Sequence, residues 1–398
     1  AILLEAAWKR REQSGRQAGP RKGVQQSPRK GANQTAALPH SAMDNITHSL
    51  VAVALSRVFF KRRVAFATTA MVIAANLPDL DVLYSWPGIR YIEYHRGILH
   101  SLLMLPVWAL LVAAGMRWAA RRWKPKAPPA ATLHLARTDT LRVVSGPALG
   151  VPGFAMAFSL GLAAVGSNLL LDWTNGYGIR LFAPLSERWF ALDWTPVFDP
   201  WLWLIFAVFL GFPMMLGLIS DEVGVPKHNA HRLSAALCLF LIAGWIGLRA
   251  RQHGAALDLL NAPEVAGMYD GQLPYNWAAF PTTGSPFDWQ AVVDLPRNIL
   301  IADVRAPWDA EDFGRVRPVR SYIKPPQDTA MVDAEHTPTA QAFLWFARFP
   351  FVDVQDEGSD SLVTLTDMRF AQGQVRPQIR AQIRLDGSGH VVSQRFAW

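Results

Sequence analysis

Sulfur chemistry is nearly absent: the 398 residues include one cysteine, Cys238, inside an apolar run. A single thiol excludes a disulfide framework and a cysteine-built zinc site, and it leaves the redox compartment unmarked. Charge is scarce as well. Lys, Arg, Asp and Glu make up 18 % of the chain, where ordinary globular proteins average about a quarter. Against this, 51 % is hydrophobic and 16 residues are Trp, too apolar for a disordered or fibrous chain.

The formal net charge of +8 suggests a nucleic-acid partner until it is located. Residues 1–42 carry eight Lys/Arg against Glu5 and Glu12, so six of the eight net charges sit there. This segment is rich in Gln, Gly, Ser and Pro, lacks periodicity, and has no apolar stretch after its charges to make a secretory signal. It reads as a disordered basic tail or an upstream artefact, with Met43 the natural start; a functional basic arm is the alternative. Nucleic acid is therefore set aside as a partner.

Beyond Met43, residues 98–116, 147–171, 200–220 and 231–248 are apolar and nearly free of charge. At 1.5 Å rise per residue, runs of this length cross a hydrocarbon core of about 30 Å. Residues 46–60 and 64–77, split by Lys61-Arg62-Arg63, read as a short helical hairpin. The expected fold is an α-helical multi-pass membrane protein, with about four full spans plus that N-terminal hairpin, over 43–250. From 255 to 398 the charges return. Alternation at 299–304, 361–366 and 378–385, with an amphipathic helix over 339–349, predicts a soluble α+β domain.

Polar residues flanking membrane segments are costly unless paired or functional. His48 opens the first segment; Asp79 and Asp81 follow the second; His95, Arg96 and His100 precede the third; Asn168 and Asp172 end the fourth. Counting crossings places all of them on one membrane face. Imidazole and carboxylate without sulfur suit a divalent metal, zinc foremost, manganese or iron as alternatives. Asn168 and Asp172 are four apart and share a helix face, as do Asp44 and His48. His95 and His100 are five apart, so they converge only if the chain breaks between them, which Gly97 permits. Asp79 and Asp81 are candidate ligands or a general base, and Arg96 a candidate for steadying an anionic substrate. The plainer alternatives are that Arg96 pairs with Glu93, and that Asp193 and Asp199 form turns.

The loop 117–142 carries seven Lys/Arg against Asp139 alone. By the positive-inside rule it is cytoplasmic, which puts the His/Asp cluster and the C-terminal domain on the periplasmic side of a bacterial inner membrane. Membrane lipid is then an expected partner, and the C-terminal domain a surface for a protein partner.

Five blocks carry a family resemblance: MDNITHSLVAVAL from Met43, ANLPDLDVLY from Ala75, YHRGILHS from Tyr94, LLLDWTNGYGIRLFAPLSERWFALDW from Leu169 and FDPWLW from Phe198. Residues 43–220 resemble the YdjM-type inner-membrane metal-dependent hydrolases, also described as LexA-binding. The resemblance implies a membrane metal site on His48, Asp79, Asp81, His95, His100 and Asp172. Where that pattern carries a His four residues before the Asp, this chain has Asn168, a weaker zinc ligand. The expectation is a hydrolase in which metal-activated water attacks a phosphodiester or ester substrate, a lipid-linked one among them. The alternative is a non-catalytic scaffold with a structural His/Asp cluster.

Overall fold

The computed structural model describes residues 40–60, 64, 66–85, 88–123, 152–216, 230–308, 314–371 and 379–397. The basic tail to residue 39, the Lys61-Arg62-Arg63 turn, the side chain of Asp44 and most of loops 117–142 and 221–232 lie outside that description.

Helix α1 (His40–Leu55) runs into a π turn, Ser56–Phe60, and is followed by α2 (Ala67–Ala75). A 3-10 turn (Pro78–Asp81) and two short helices, α3 (Val82–Ser85) and α4 (Ile89–Tyr94), lead to a second 3-10 turn, Ile98–His100. The long helices are α5 (Met104–Arg122), α6 (Phe154–Thr174), the apolar α7 (Pro200–Leu216) and α8 (Ala230–Leu260). Small residues let them approach closely. A Cβ on Gly161 of α6 would lie 2.8 Å from the Ala109 Cα of α5, so the absent side chain sets that spacing. Helix α1 is shared: its Ala52 packs with α2, α5 and α6, while Val51 and Ala54 pack with Leu202, Phe206 and Cys238 of α7 and α8.

Among the described residues, two single helices, α6 and α8, are long and apolar enough to cross a membrane. The run expected at 98–116 is interrupted, because His95 to Ser101 is spent on a corner; α4 with its 3-10 turn meets α5 at 70°, which makes a bent pair of the length of one span. Helix α7 is shorter than a full span and contains a π turn at Ala207–Gly211. Four full spans are thus an expectation the helices match only in part. At 1.5 Å per residue α8 is about 46 Å long, and its final turns leave the apolar region: Ala256 and Leu260 pack into the first sheet.

The C-terminal part holds two four-stranded antiparallel meanders. The first comprises β1 (Asn276–Pro281), β2 (Asp288–Asp294), β3 (Asn298–Arg305) and β4 (Arg315–Ile323). Helices α9 (Thr329–Glu335) and α10 (Pro338–Phe346) intervene before β5 (Pro350–Glu357), β6 (Asp360–Asp367), β7 (Arg380–Leu385) and β8 (Val391–Ala397). Helix α10 starts with Pro338 after the Thr337 hydroxyl, which accepts from Ala340 N. The first sheet is buried on both faces by the period of two: Ala279, Ala291, Val293 and Leu300 face α8, while Ala278, Phe280, Val292 and Ile299 meet Phe349 and Met368. The second sheet packs Val363, Leu365 and Ile383 on Phe343 and Phe346, and this cluster also takes in Tyr91, Ile92 and Tyr177 from the helical part.

Candidate metal centre

Four pieces of local structure place the polar residues. Asp79 and Asp81 ride the 3-10 turn after α2, with Pro78 in its first position. Asn76 fastens that end of α2 to α1 by donating to the Ser49 hydroxyl at 2.9 Å. His48 is buried on α1, and Asn168 and Asp172 are buried on α6. The fourth piece is the corner after α4. His95 leaves the helix in extended conformation, Arg96 takes φ 53°, Gly97 follows, and His100 ends the next turn. The break foreseen at Gly97 is present, and the His95 and His100 rings come within 5.9 Å. A left-handed non-glycine residue is strained; Arg96 is held there by its N–H donating to Asp81 Oδ2 at 2.8 Å and its carbonyl accepting from Arg180 N at 3.1 Å.

These pieces bring the sequence-expected residues together. His100 Nε2 lies 3.1 Å from Asp79 Oδ1 and 3.4 Å from Asp172 Oδ2. His48 Nε2 lies 3.4 Å from Asp172 Oδ1. One ligand atom each from Asp79, His100 and Asp172 lies within 4.8 Å of the other two. Asp81 stands behind them: its two oxygens meet His95 Nδ1 at 2.9 Å and His100 Nδ1 at 3.2 Å. Burial alone would raise the Asp81 carboxyl, but the bonds with His100 and His95 outweigh it and hold the group well below the usual carboxylate range.

Arg96 does not turn to Glu93. Its buried guanidinium is 2.8 Å from Asp172 Oδ1 and donates to Asn175 Oδ1 at 2.9 Å. Asp199 caps α7 by accepting from Trp201 N, and Asp193 is met by both oxygens at Arg348. The sequence reading missed Asn175 and Tyr177. The Asn175 oxygen also accepts from Tyr177 N and Gly178 N, and the Tyr177 ring sits under Arg96 at 5.1 Å and beside His95 at 5.8 Å. The signal was the TNGYG turn after Asp172, whose side-chain amide precedes two glycines.

The donor set fits a divalent cation. Three carboxylates (Asp79, Asp81, Asp172) face one guanidinium, an excess of two negative charges where three of these four residues are buried. Buried unbalanced charge is costly; a divalent cation, or two protonated imidazoles, balances it. The Asn168 carbonyl oxygen is buried with no hydrogen-bond partner, and both Asp172 oxygens lack an aligned donor. A cleft lined by Thr47, Thr174, Thr195 and Trp203 leads to His48 and Asp172.

Residues 43–254 match the family model described as YdjM inner membrane protein. The chain belongs to the YdjM inner membrane protein family. Its match takes in every residue of the cluster, and the two sheets lie beyond it. An uncharacterized protein of Bacillus subtilis (strain 168), YfhP, is 27 % identical over 171 residues, which cover 41 % of this chain and 43 % of that protein. The chain thus spans less than half the length of that relative. No solved structure matches.

Proposed function

We propose that this YdjM-family protein is a multi-pass, membrane-bound metal-dependent hydrolase acting on a phosphodiester or ester, with a lipid-linked substrate favoured by the site's place beside the apolar helices. The observation that carries the reading is the clustering of Asp79, His100 and Asp172 around one point. Asp79, His100 and Asp172 would hold the ion, zinc by donor type, with His48 and the Asn168 carbonyl oxygen beside them. When bound, such an ion supplies an acidified water and an electrophilic anchor for a phosphoryl or acyl oxygen.

The chain's own residues do the rest. Asp81 holds His95 by a hydrogen bond and backs His100 from 3.2 Å, the place that carboxylate partners of liganding histidines take. Asp79, whose side chain is 7 % exposed against 0 % for Asp81 and 1 % for Asp172, is the least enclosed of the three carboxylates and the one assigned to take a proton from the attacking water. Arg96 orients Asp172 and lends a positive field to an anionic substrate. The excess of Lys and Arg in the sequence 117–142 supports, by the positive-inside rule, a periplasmic placement for the site and for the sheet domain.

The test is elemental mass spectrometry on detergent-purified protein, wild type against Asp79→Ala/His100→Ala. Near-stoichiometric metal in the wild type and none in the variant supports the reading and starts a screen of phosphodiesters and esters. Metal in neither, after reconstitution with zinc, manganese and iron, sinks it. One feature favours a non-catalytic scaffold instead: Arg96–Asp172 and the Asp81 bridge to two histidines already form a self-contained network. A metal-free, folded wild type selects that reading.

A further inference from the structure

We propose that the C-terminal sheet domain is a working part of the centre, with Arg369, Phe346 and Trp345 as positioning residues that clamp the two loops aiming Arg96 and His95. The proposal rests on reading the cluster as a metal centre, although the three residues lie outside the stretch that matches the family.

Arg369, in the 3-10 turn (Met368–Phe370) that follows β6, is buried and fixed on several sides. It pairs with Asp367 at 2.7 Å, donates to Phe346 O at 3.0 Å, and stacks over the Phe346 ring at 4.5 Å. Its remaining donor reaches the Gly176 carbonyl at 3.0 Å. Gly176 follows Asn175, whose side-chain oxygen holds the Arg96 guanidinium. Phe346 backs the Tyr177 ring at 4.8 Å, and that ring touches both Arg96 and His95. Trp345 stacks on Arg180 at 4.7 Å. Arg180 in turn donates to the Glu93 carbonyl at 2.5 Å, and its backbone N–H bonds the Arg96 carbonyl.

Two contacts from the sheet domain therefore end on Gly176 and Tyr177, and a third, Trp345 on Arg180, reaches Glu93 and the strained Arg96 through that arginine. A simple domain interface gains most from apolar burial. A buried arginine aimed at a loop carbonyl carries a desolvation cost that such an interface avoids, and it is the kind of outer support that fixes ligand orientation in metal sites.

The test uses the full chain in detergent and the variants Arg369→Gln, Arg369→Lys and Trp345→Leu. Zinc affinity is read by chelator competition, and backbone hydrogen exchange is read at 93–97 and 175–180. Arg369→Gln and Trp345→Leu should weaken zinc by about 10- to 100-fold and speed exchange in both loops, with Arg369→Lys recovering part of each. Trp345 is half-buried, so its variant decides if Arg369→Gln does not fold. Unchanged affinity and unchanged exchange in folded Trp345→Leu overturns the proposal. If the wild type holds no metal, the metal reading fails by itself; faster loop exchange in the variants then keeps the clamp, and unchanged exchange removes it.

Discussion

Asp172 is asked to do two things, and a single substitution separates them. Its side chain and that of Arg96 are 1 % and 4 % exposed, 2.8 Å apart. Removing one member of a buried pair costs about 3–5 kcal/mol, because the other charge is left uncompensated. Arg96 keeps its bond to Asn175 and the face of Tyr177, so the lower end applies: Asp172→Asn should cost about 3 kcal/mol in chelator. With zinc at a hundredfold excess over its Kd, the wild type alone gains a further ~2.7 kcal/mol from ligand binding. The gap between wild type and variant should therefore widen from about 3 to nearly 6 kcal/mol. Reversible unfolding in mixed micelles, with and without metal, reads both terms. Arg96→Met/Asp172→Leu should recover most of the chelator-state loss, since an apolar pair replaces a buried ion pair at little cost. A chelator-state loss under about 1 kcal/mol would refute the buried pair. A gap that does not widen with zinc would refute Asp172 as a ligand.

Three further outcomes follow from the packing. Gly161→Val should destabilise by roughly 1–3 kcal/mol, read as a lower melting midpoint in detergent, because the new Cβ meets Ala109 backbone at 2.8 Å; an unchanged midpoint would mean α5 and α6 can separate freely. Gly97→Ala places its Cβ on the Arg180 guanidinium and 2.7 Å from the Tyr94 carbonyl, so the His95–His100 corner must shift and zinc affinity should fall about tenfold or more; chelator competition showing wild-type affinity would count against it. Asn168→His restores the imidazole of the family pattern beside Asp79, and zinc should bind about tenfold tighter, ~1.4 kcal/mol; weaker binding would show that the pocket admits an amide but not a ring.

How much of this was legible varies with the range of the interaction. Hydropathy is a local property, so the helical class and the apolar α6 and α8 were readable. Continuity was not: the run at 98–116 loses its first residues to the His95–Ser101 corner, a bend that serves the site rather than the span. Strands β6 and β7 alternate cleanly because one side packs on α10. Strand β4, Arg315–Ile323, hid itself with three arginines and Pro318, the composition of an exposed edge. Strand β2 is buried on both faces and so has no alternation to detect. The His/Asp set stood out as polar residues in apolar surroundings. Arg369 could not, since its partner Gly176 is 193 positions away and offers only a carbonyl.

The pair Asp79 and Asp81 shows what spacing alone leaves undecided. As Asp-x-Asp they are equivalent in sequence, and both stood as ligand or base. On a 3-10 turn of three residues, positions two apart point about 120° away from each other, so they cannot aim at one point. Asp79 turns toward His100 Nε2 and Asp172, its side chain 7 % exposed; Asp81 turns inward, fully buried, to the Nδ1 atoms of His95 and His100. The turn type therefore divides the roles. On the proposed reading, the carboxylate on the Asp172 side meets the ligand and exchanges protons, while the other orients the imidazoles. Asp81→Asn should then weaken metal binding without abolishing it, and Asp79→Asn should abolish proton transfer in any hydrolysis the protein performs. Equal effects of the two substitutions on metal content and turnover would overturn that division.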